Sequence, residues 1–208
     1  NITLPHKKSV ARIIKNLSDE ASFIDAVNTI NKISNKLHAL STDGEGLIKD
    51  MDEKNIKIKN QNILVLGAGA AVESVLFKII QSKPKSITLI NRTEEKSKKL
   101  HSKYLHMIDI SLGLGANNYD LVINGSSAGL TGNFLPPEDT FFNEKTVFYD
   151  LNYSLTGTAF CNWADNISDH SYDGMGMLIS QAALSFYEWF GVLPSTTSIA
   201  DELRDLRN

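Results

Sequence analysis

Ile63-Leu-Val-Leu-Gly-Ala-Gly-Ala-Ala-Val-Glu-Ser-Val-Leu-Phe-Lys-Ile-Ile-Gln81 is the stretch that decides the fold of this 208-residue chain. Ile63–Leu66 is short and wholly apolar, the pattern of a strand buried on both faces of a parallel sheet. Gly67-Ala68-Gly69 interrupts it, and a helical pattern follows as far as Gln81. Strand, glycine turn and helix in that order suit the pyrophosphate of a dinucleotide. Gly67 permits the tight turn and Gly69 lets the backbone approach the phosphates. The helix N-terminus, at Ala70, offers unpaired N–H groups and a positive dipole. The third small position of G-x-G-x-x-G holds Val72, so the motif alone also fits a tight turn that binds nothing.

Reading outward, Ser86–Ile90 is a second apolar strand and residues 94–104 a charged helix. Asp120–Asn124 and Thr146–Leu151 add two more strands. Strands alternating with helices predict an α/β fold with a doubly wound, Rossmann-type parallel sheet. The second strand runs into Asn91-Arg92-Thr93, about 20 residues past the glycines, where NAD-binding chains carry a carboxylate for the ribose 2′-OH. A guanidinium there can bind a 2′-phosphate instead, so NADP is preferred. Without the glycine turn, Arg92 reads as a solvated residue at a helix start capped by Thr93.

The flanks are read more coarsely. Residues 8–21 predict a short amphipathic helix, and 24–30 and 36–40 two strands around a Ser34-Asn35 turn. Asp43-Gly44 opens a helix reaching about Met51. The polar stretch Asp52–Asn62 is the best candidate for a boundary. Residues 174–190 predict a helix with a wide apolar face and 198–207 a final charged one. The expected organisation is part of an α/β substrate domain in 1–45, a nucleotide domain in 46–172, and helices in 173–208 that return to the substrate domain.

Composition excludes several classes. With 21 basic and 24 acidic residues the net charge is −3, and no nucleic-acid footprint is expected. Lys96, Lys98, Lys99 and Lys103 alternate with Glu94 and Glu95 as on a solvated helix face. Cys161 is alone, the His residues match no H-E-x-x-H pattern, and no metal site is expected. No run is long and apolar enough for a membrane, no signal peptide is visible, and the cytoplasm fits best. Gly125-Ser126-Ser127-Ala128-Gly129 matches the hydrolase elbow G-x-S-x-G. The residues after it do not read as the helix an elbow needs, and only His170 lies far enough downstream to be its base. The better reading is a polar loop at the carboxyl end of a strand, with Ser126 facing a ligand.

Six separated motifs then occur in order: Asn1-Ile-Thr-Leu-Pro-His-Lys7, Ser41-Thr-Asp-Gly44, Gly67-Ala-Gly-Ala70, Asn91-Arg-Thr93, Asn124-Gly-Ser-Ser-Ala-Gly129 and Asp173-Gly-Met-Gly-Met-Leu-Ile-Ser-Gln181. Together they resemble the shikimate dehydrogenase family. The resemblance implies NADP-dependent reduction of 3-dehydroshikimate to shikimate by a monomer or homodimer. It makes Lys7 the catalytic lysine and Asp43 its partner. It gives substrate contacts to Thr3, Asn28, Tyr153 and Gln181, and places Gly174 and Met177 at the nicotinamide. Gly174, Met177 and Gln181 are spaced i, i+3, i+7 and share a helix face. The chain departs from the family pattern at Ala70, Val72, Glu73 and Ala159. Relatives also carry an N-terminal quarter, with a Ser-x-Ser substrate motif, that is not in this sequence. A chain without it is expected to expose sheet edges and core, and to bind nucleotide better than it catalyses.

Overall fold

The computed structural model describes residues 1–115, 118–126, 128, 134–137 and 142–205. The first lobe runs α1 (Lys7–Ala11), β1 (Asn16–Leu17), α2 (Asp19–Ile24), β2 (Thr29–Ile33), β3 (Lys36–Leu40) and α3 (Asp43–Glu53). Its sheet has the order β1-β3-β2, with β1 parallel and β2 antiparallel to β3. The single helix expected over 8–21 is therefore two helices with a strand between them. Ser18 is the reason: its hydroxyl accepts the Ala21 N–H at 3.2 Å and starts α2 afresh. Asp25, left-handed at φ 56°, ends α2, so the strand expected from residue 24 begins only at Thr29.

The second lobe contains β4 (Asn62–Leu66), α4 (Ala70–Gln81), β5 (Ser86–Ile90), α5 (Glu94–Tyr104), β6 (Ile110–Leu112), β7 (Leu121–Asn124), β8 (Val147–Asp150), α6 (Ala159–Ala164) and β9 (Ser171–Tyr172). The chain ends in α7 (Met175–Phe190) and α8 (Thr197–Asp205). All six strands pair in parallel in the order β6-β5-β4-β7-β8-β9. This is the doubly wound order in which the strand sequence reverses beside β4. The side chains of β4 confirm burial on both faces. Ile63 and Val65 join the core under α4 and α5, with Val75, Leu76 and Ile87. Leu64 and Leu66 join the opposite core, with Val122, Phe148 and Phe160. Three elements were not legible: β6 and β9 are two or three residues long, and α6 is a single turn and a half. Thr158, which caps the Cys161 N–H at 3.1 Å, was the signal for α6.

Two glycines let α3 and α7 pack closely, Gly46 against the α7 backbone and Gly176 against the Asp50 side chain. A Cβ on Gly46 would sit 2.7 Å from the Gln181 nitrogen. A Cβ on Gly176 would sit 1.8 Å from Oδ1 of the buried Asp50. Asp50 in turn accepts the Tyr149 hydroxyl at 2.7 Å, tying α3 to β8, and pairs with Lys54. Beyond this contact, the second half of α7 presents Phe186, Tyr187 and Phe190 to solvent.

Gly176→Ala should therefore destabilise the chain by about 1–3 kcal/mol, the usual range for overpacking. The midpoint of urea unfolding measures it. A variant as stable as the wild type would show that the α3–α7 contact gives way without cost.

Candidate active site

Two chain turns meet at the reversal of strand order. Gly67 has φ +108°, a region that favours glycine, and donates its N–H to Ile90 O at 2.7 Å. A Cβ there would lie 2.9 Å from the Gly125 carbonyl and the Ser126 nitrogen. Gly125 N–H donates to Leu66 O at 2.8 Å, closing the turn from the other side. Gly125 also explains Val72. A Cβ on Gly125 would meet Val72 Cγ2 at 2.4 Å, so the room usually made by a small third residue is made across the turn. Nothing lies within 4 Å of a Cβ built on Gly69, which begins α4. That open approach to a helix N-terminus fits a pyrophosphate.

The rim of this turn is held by amides. Asn91 Oδ1 accepts the Ala68 N–H at 3.1 Å, and Asn91 Nδ2 donates to Thr93 O at 2.7 Å. Thr93 occupies the N-cap position of α5, but its hydroxyl makes no cap bond, which corrects the expected capping. Arg92 is exposed and makes no ion pair among the described residues. Asn124 Oδ1 accepts both the N–H (3.1 Å) and the hydroxyl (2.7 Å) of Ser126. Asp150 Oδ1 collects Asn124 Nδ2 at 2.9 Å and the Asn152 backbone N–H at 3.0 Å. Burial raises the Asp150 pKa against these bonds. Asn152 O then accepts the Gly174 N–H at 2.9 Å, so the Ser126 loop and the start of α7 share one network. Gly174 could not be larger: its Cβ would lie 2.6 Å from Leu151 O. Ser127 and Gly129 of the hydrolase-like motif, and the end of the helix expected to residue 207, lie outside the described residues.

Four expected side chains from four separate segments converge where α7 meets the first lobe. Lys7 Nζ donates to Asp43 Oδ2 at 2.5 Å, with Lys7 19% and Asp43 5% exposed. Asn28 lies beneath them, 2% exposed. Its Nδ2 lies 2.9 Å from Asp43 Oδ1, 2.9 Å from Gln181 Oε1 and 2.8 Å from Thr42 Oγ1. Its Oδ1 accepts the Thr42 N–H at 2.9 Å and the Thr29 hydroxyl at 2.8 Å. The expected shared face of α7 divides: Gly174 backs onto Leu151, Met177 packs on the large core, and only Gln181 joins the Asn28 network. Thr3 and Tyr153 are exposed and stand outside that network. Four participants were missed: Thr42, Thr29, Asn1, whose Nδ2 donates to Ser185 Oγ at 3.0 Å, and Ser185, whose hydroxyl bonds Thr29 Oγ1 at 2.7 Å. Ser185 follows Gln181 by one helical turn, which was the available signal. Among the described residues no three His, Cys, Asp or Glu side chains are grouped to hold a metal, and no helix is long and apolar enough to cross a membrane.

A glycine turn at this switch point is the seat of a dinucleotide, and an amine held on a carboxylate beside it suits proton transfer to a carbonyl. The class is a dinucleotide-dependent oxidoreductase. Residues 50–130 match the family model for shikimate / quinate 5-dehydrogenase, and 174–204 that for the shikimate 5′-dehydrogenase C-terminal domain. The chain is 36% identical over 205 residues to the shikimate dehydrogenase (NADP(+)) of Legionella pneumophila (strain Lens), covering 98% of this chain and 77% of that protein. It belongs to the shikimate dehydrogenase family. Among solved structures, an Ael1 enzyme from Pseudomonas putida matches with a TM-score of 0.87 at 30% identity, over 98% of this chain and 77% of that one. Shikimate 5-dehydrogenase from Thermus thermophilus, in complex with NADP(H) and shikimate, matches with a TM-score of 0.84 at 27% identity, over 99% and 78%.

Asn28→Ala should leave buried partners on Thr42 and Asp43 unpaired, each costing about 1–3 kcal/mol. Thermal unfolding should register the loss. An unchanged melting temperature would mean that water replaces the amide and that Asn28 does not organise the site.

Proposed function

We propose that the chain interconverts 3-dehydroshikimate and shikimate with NADP(H), in the route to chorismate and the aromatic amino acids. The observation that carries this reading is the Lys7–Asp43 pair at 2.5 Å, joined through Asn28 to Gln181, in a chain with Arg92 beside its glycine turn. Residues 1–45 with the helices of 173–208 form the substrate side of this reading, and 46–172 the nucleotide side.

When bound, NADPH supplies the hydride that reduces the ketone carbon. The chain's own residues handle the rest. The carbonyl oxygen becomes an alkoxide and takes a proton from the Lys7 ammonium; in the reverse direction the neutral amine takes it back. Asp43 holds the ammonium in place. Asn28 fixes the Asp43 carboxylate by its other oxygen. Gln181 is the substrate hydroxyl contact on α7, and Thr3 and Tyr153 are further substrate contacts in this reading. Gly67, Gly69 and Ala70 give the pyrophosphate a backbone seat, with Asn91 and Thr93 shaping its rim. Arg92 takes the 2′-phosphate, Ser126 meets the cofactor from its loop, and Gly174 and Met177 bound the nicotinamide. The family description also covers quinate, so both substrates belong in the assay.

Lys7→Ala should lower kcat by about 10²–10⁴, the range for a lost acid–base group, and leave NADPH binding by fluorescence unchanged. Near-normal turnover of shikimate would remove Lys7 from the chemistry.

Arg92→Ala should weaken NADP by about 10- to 150-fold, a lost charged hydrogen bond of about 1.5–3 kcal/mol, and hardly change NAD. Equal weakening of both in titration would make Arg92 structural and leave the NADP preference without a residue.

A further inference from the structure

The residue after Lys7 reaches the opposite lobe. Lys8 stands in the first turn of α1, and its ammonium pairs with Glu73 Oε2. Glu73 stands in the first turn of α4, directly behind the glycine turn. The Glu73 side chain is only 19% exposed, and Oε2 is buried with no aligned hydrogen bond. A carboxylate so far removed from water needs a counter-charge. The N-terminus of α4 provides part of it. Lys8 provides the rest at contact distance. Lys103 of α5 acts from farther away: burial lowers its pKa while Glu73 opposes that shift.

Adjacent residues of α1 therefore face two ways. Lys7 is held on Asp43 in its own lobe, and the Lys7 carbonyl accepts the Val27 N–H at 3.2 Å. Lys8 grips the helix that starts at the glycine turn. Building on the function proposed above, the geometry points to Lys8 and Glu73 as an interlobe clasp. They are positioning residues that set the distance between the Lys7 ammonium and the dinucleotide seat. The clasp also cancels a carboxylate that would otherwise repel a pyrophosphate. Its loss does not separate the lobes, because Asp50–Tyr149 and Lys78, paired with Glu20 and Glu45, still join them.

The two partners then have different signatures. Lys8→Ala leaves Glu73 uncompensated, so kcat falls and NADPH binding weakens. Glu73→Ala frees α1 but removes the repelling charge, so kcat falls and NADPH binding does not weaken. Lys8→Glu sets two carboxylates together and is the worst single change. Lys8→Glu with Glu73→Lys restores the pair with its charges exchanged.

The experiment uses the full chain with these four variants. It measures shikimate turnover, NADPH fluorescence titration, and hydrogen exchange at the Val10 and Ala11 amides. Lys8→Ala and Glu73→Ala should each lower kcat about 10-fold, and Lys8→Glu further, short of the ~10²-fold cost of a 1 Å misplacement. NADPH affinity should fall about 2- to 5-fold in Lys8→Ala, the effect of one charge at a helix N-terminus, and not in Glu73→Ala. Exchange at Val10 and Ala11 should quicken in the single variants. The exchanged pair should return kcat and exchange toward wild type. Single variants that match wild type in both readouts, or an exchanged pair no better than Lys8→Glu, would overturn the clasp. A wild type that neither binds NADPH nor turns over shikimate would defeat the functional reading instead; exchange at α1 would still decide the clasp.

Discussion

Any side chain larger than hydrogen at residue 46 would meet the α7 backbone, and at residue 176 the buried Asp50 carboxylate; most of the site hangs on those two helices. Asp43 opens α3 and Gln181 lies in the middle of α7. Asn28 can reach both carboxylate and amide only because the helix backbones are so close. The same contact brings Asp50 against the start of α7 and lets it accept the Tyr149 hydroxyl from β8. Burial and the Asp50 carboxylate both push the Tyr149 pKa upward, so this hydroxyl stays a donor. One steric condition thus orients the Lys7–Asp43 pair and joins it to the sheet that carries the glycine turn.

The glycine turn is itself a steric trade between two turns. Val72 fills space that a small residue usually leaves open in such a motif, and Gly125 yields it from the neighbouring strand end. The volume is conserved although the motif is not, as close packing requires. The polar groups around the seat follow the same economy. Asn91, Asn124 and Asn152 serve backbone groups that the turns remove from the sheet, and Asp150 gathers two of them.

Charges between the lobes are paired across the gap. Lys78 enters the gap left by Gly44 to meet Glu20 and Glu45. Burial raises the pKa of Glu20 despite that pairing, with Glu45 and Asp43 adding repulsion. Its folded form therefore holds a proton more firmly than the unfolded chain does. The resulting stabilisation is full below the ordinary glutamate pKa and is lost as pH rises from there through the raised folded-state value. Lys8 and Glu73 repeat the theme at the mouth of the site. Lys103, expected on a solvated face, instead lies 4.7 Å over the Phe23 ring. The alternating charges of 94–104 were readable, but the aromatic side chain brought under one of them by α2 was not.

The local pattern of residues 63–90 was enough to set the strand, the glycine turn, the helix and the next strand, because burial on both faces writes itself as an unbroken apolar run. The separated motifs were enough to point to the family and to name Lys7, Asp43, Asn28 and Gln181 together. Only the tertiary structure decided how they meet. Asn28 and Gln181 are 153 residues apart, and no period or spacing encodes a hydrogen bond between them. The two-residue strands β1 and β9 escaped notice because their stability comes from a neighbour already in place rather than from their own composition. Val72 looked like a defect in the motif until Gly125 stood opposite it, and Glu73 like a charge out of place until Lys8 did. Each depends on a partner that the fold supplies from elsewhere in the chain, which is why sequence alone determined the architecture and tertiary contact determined the fit.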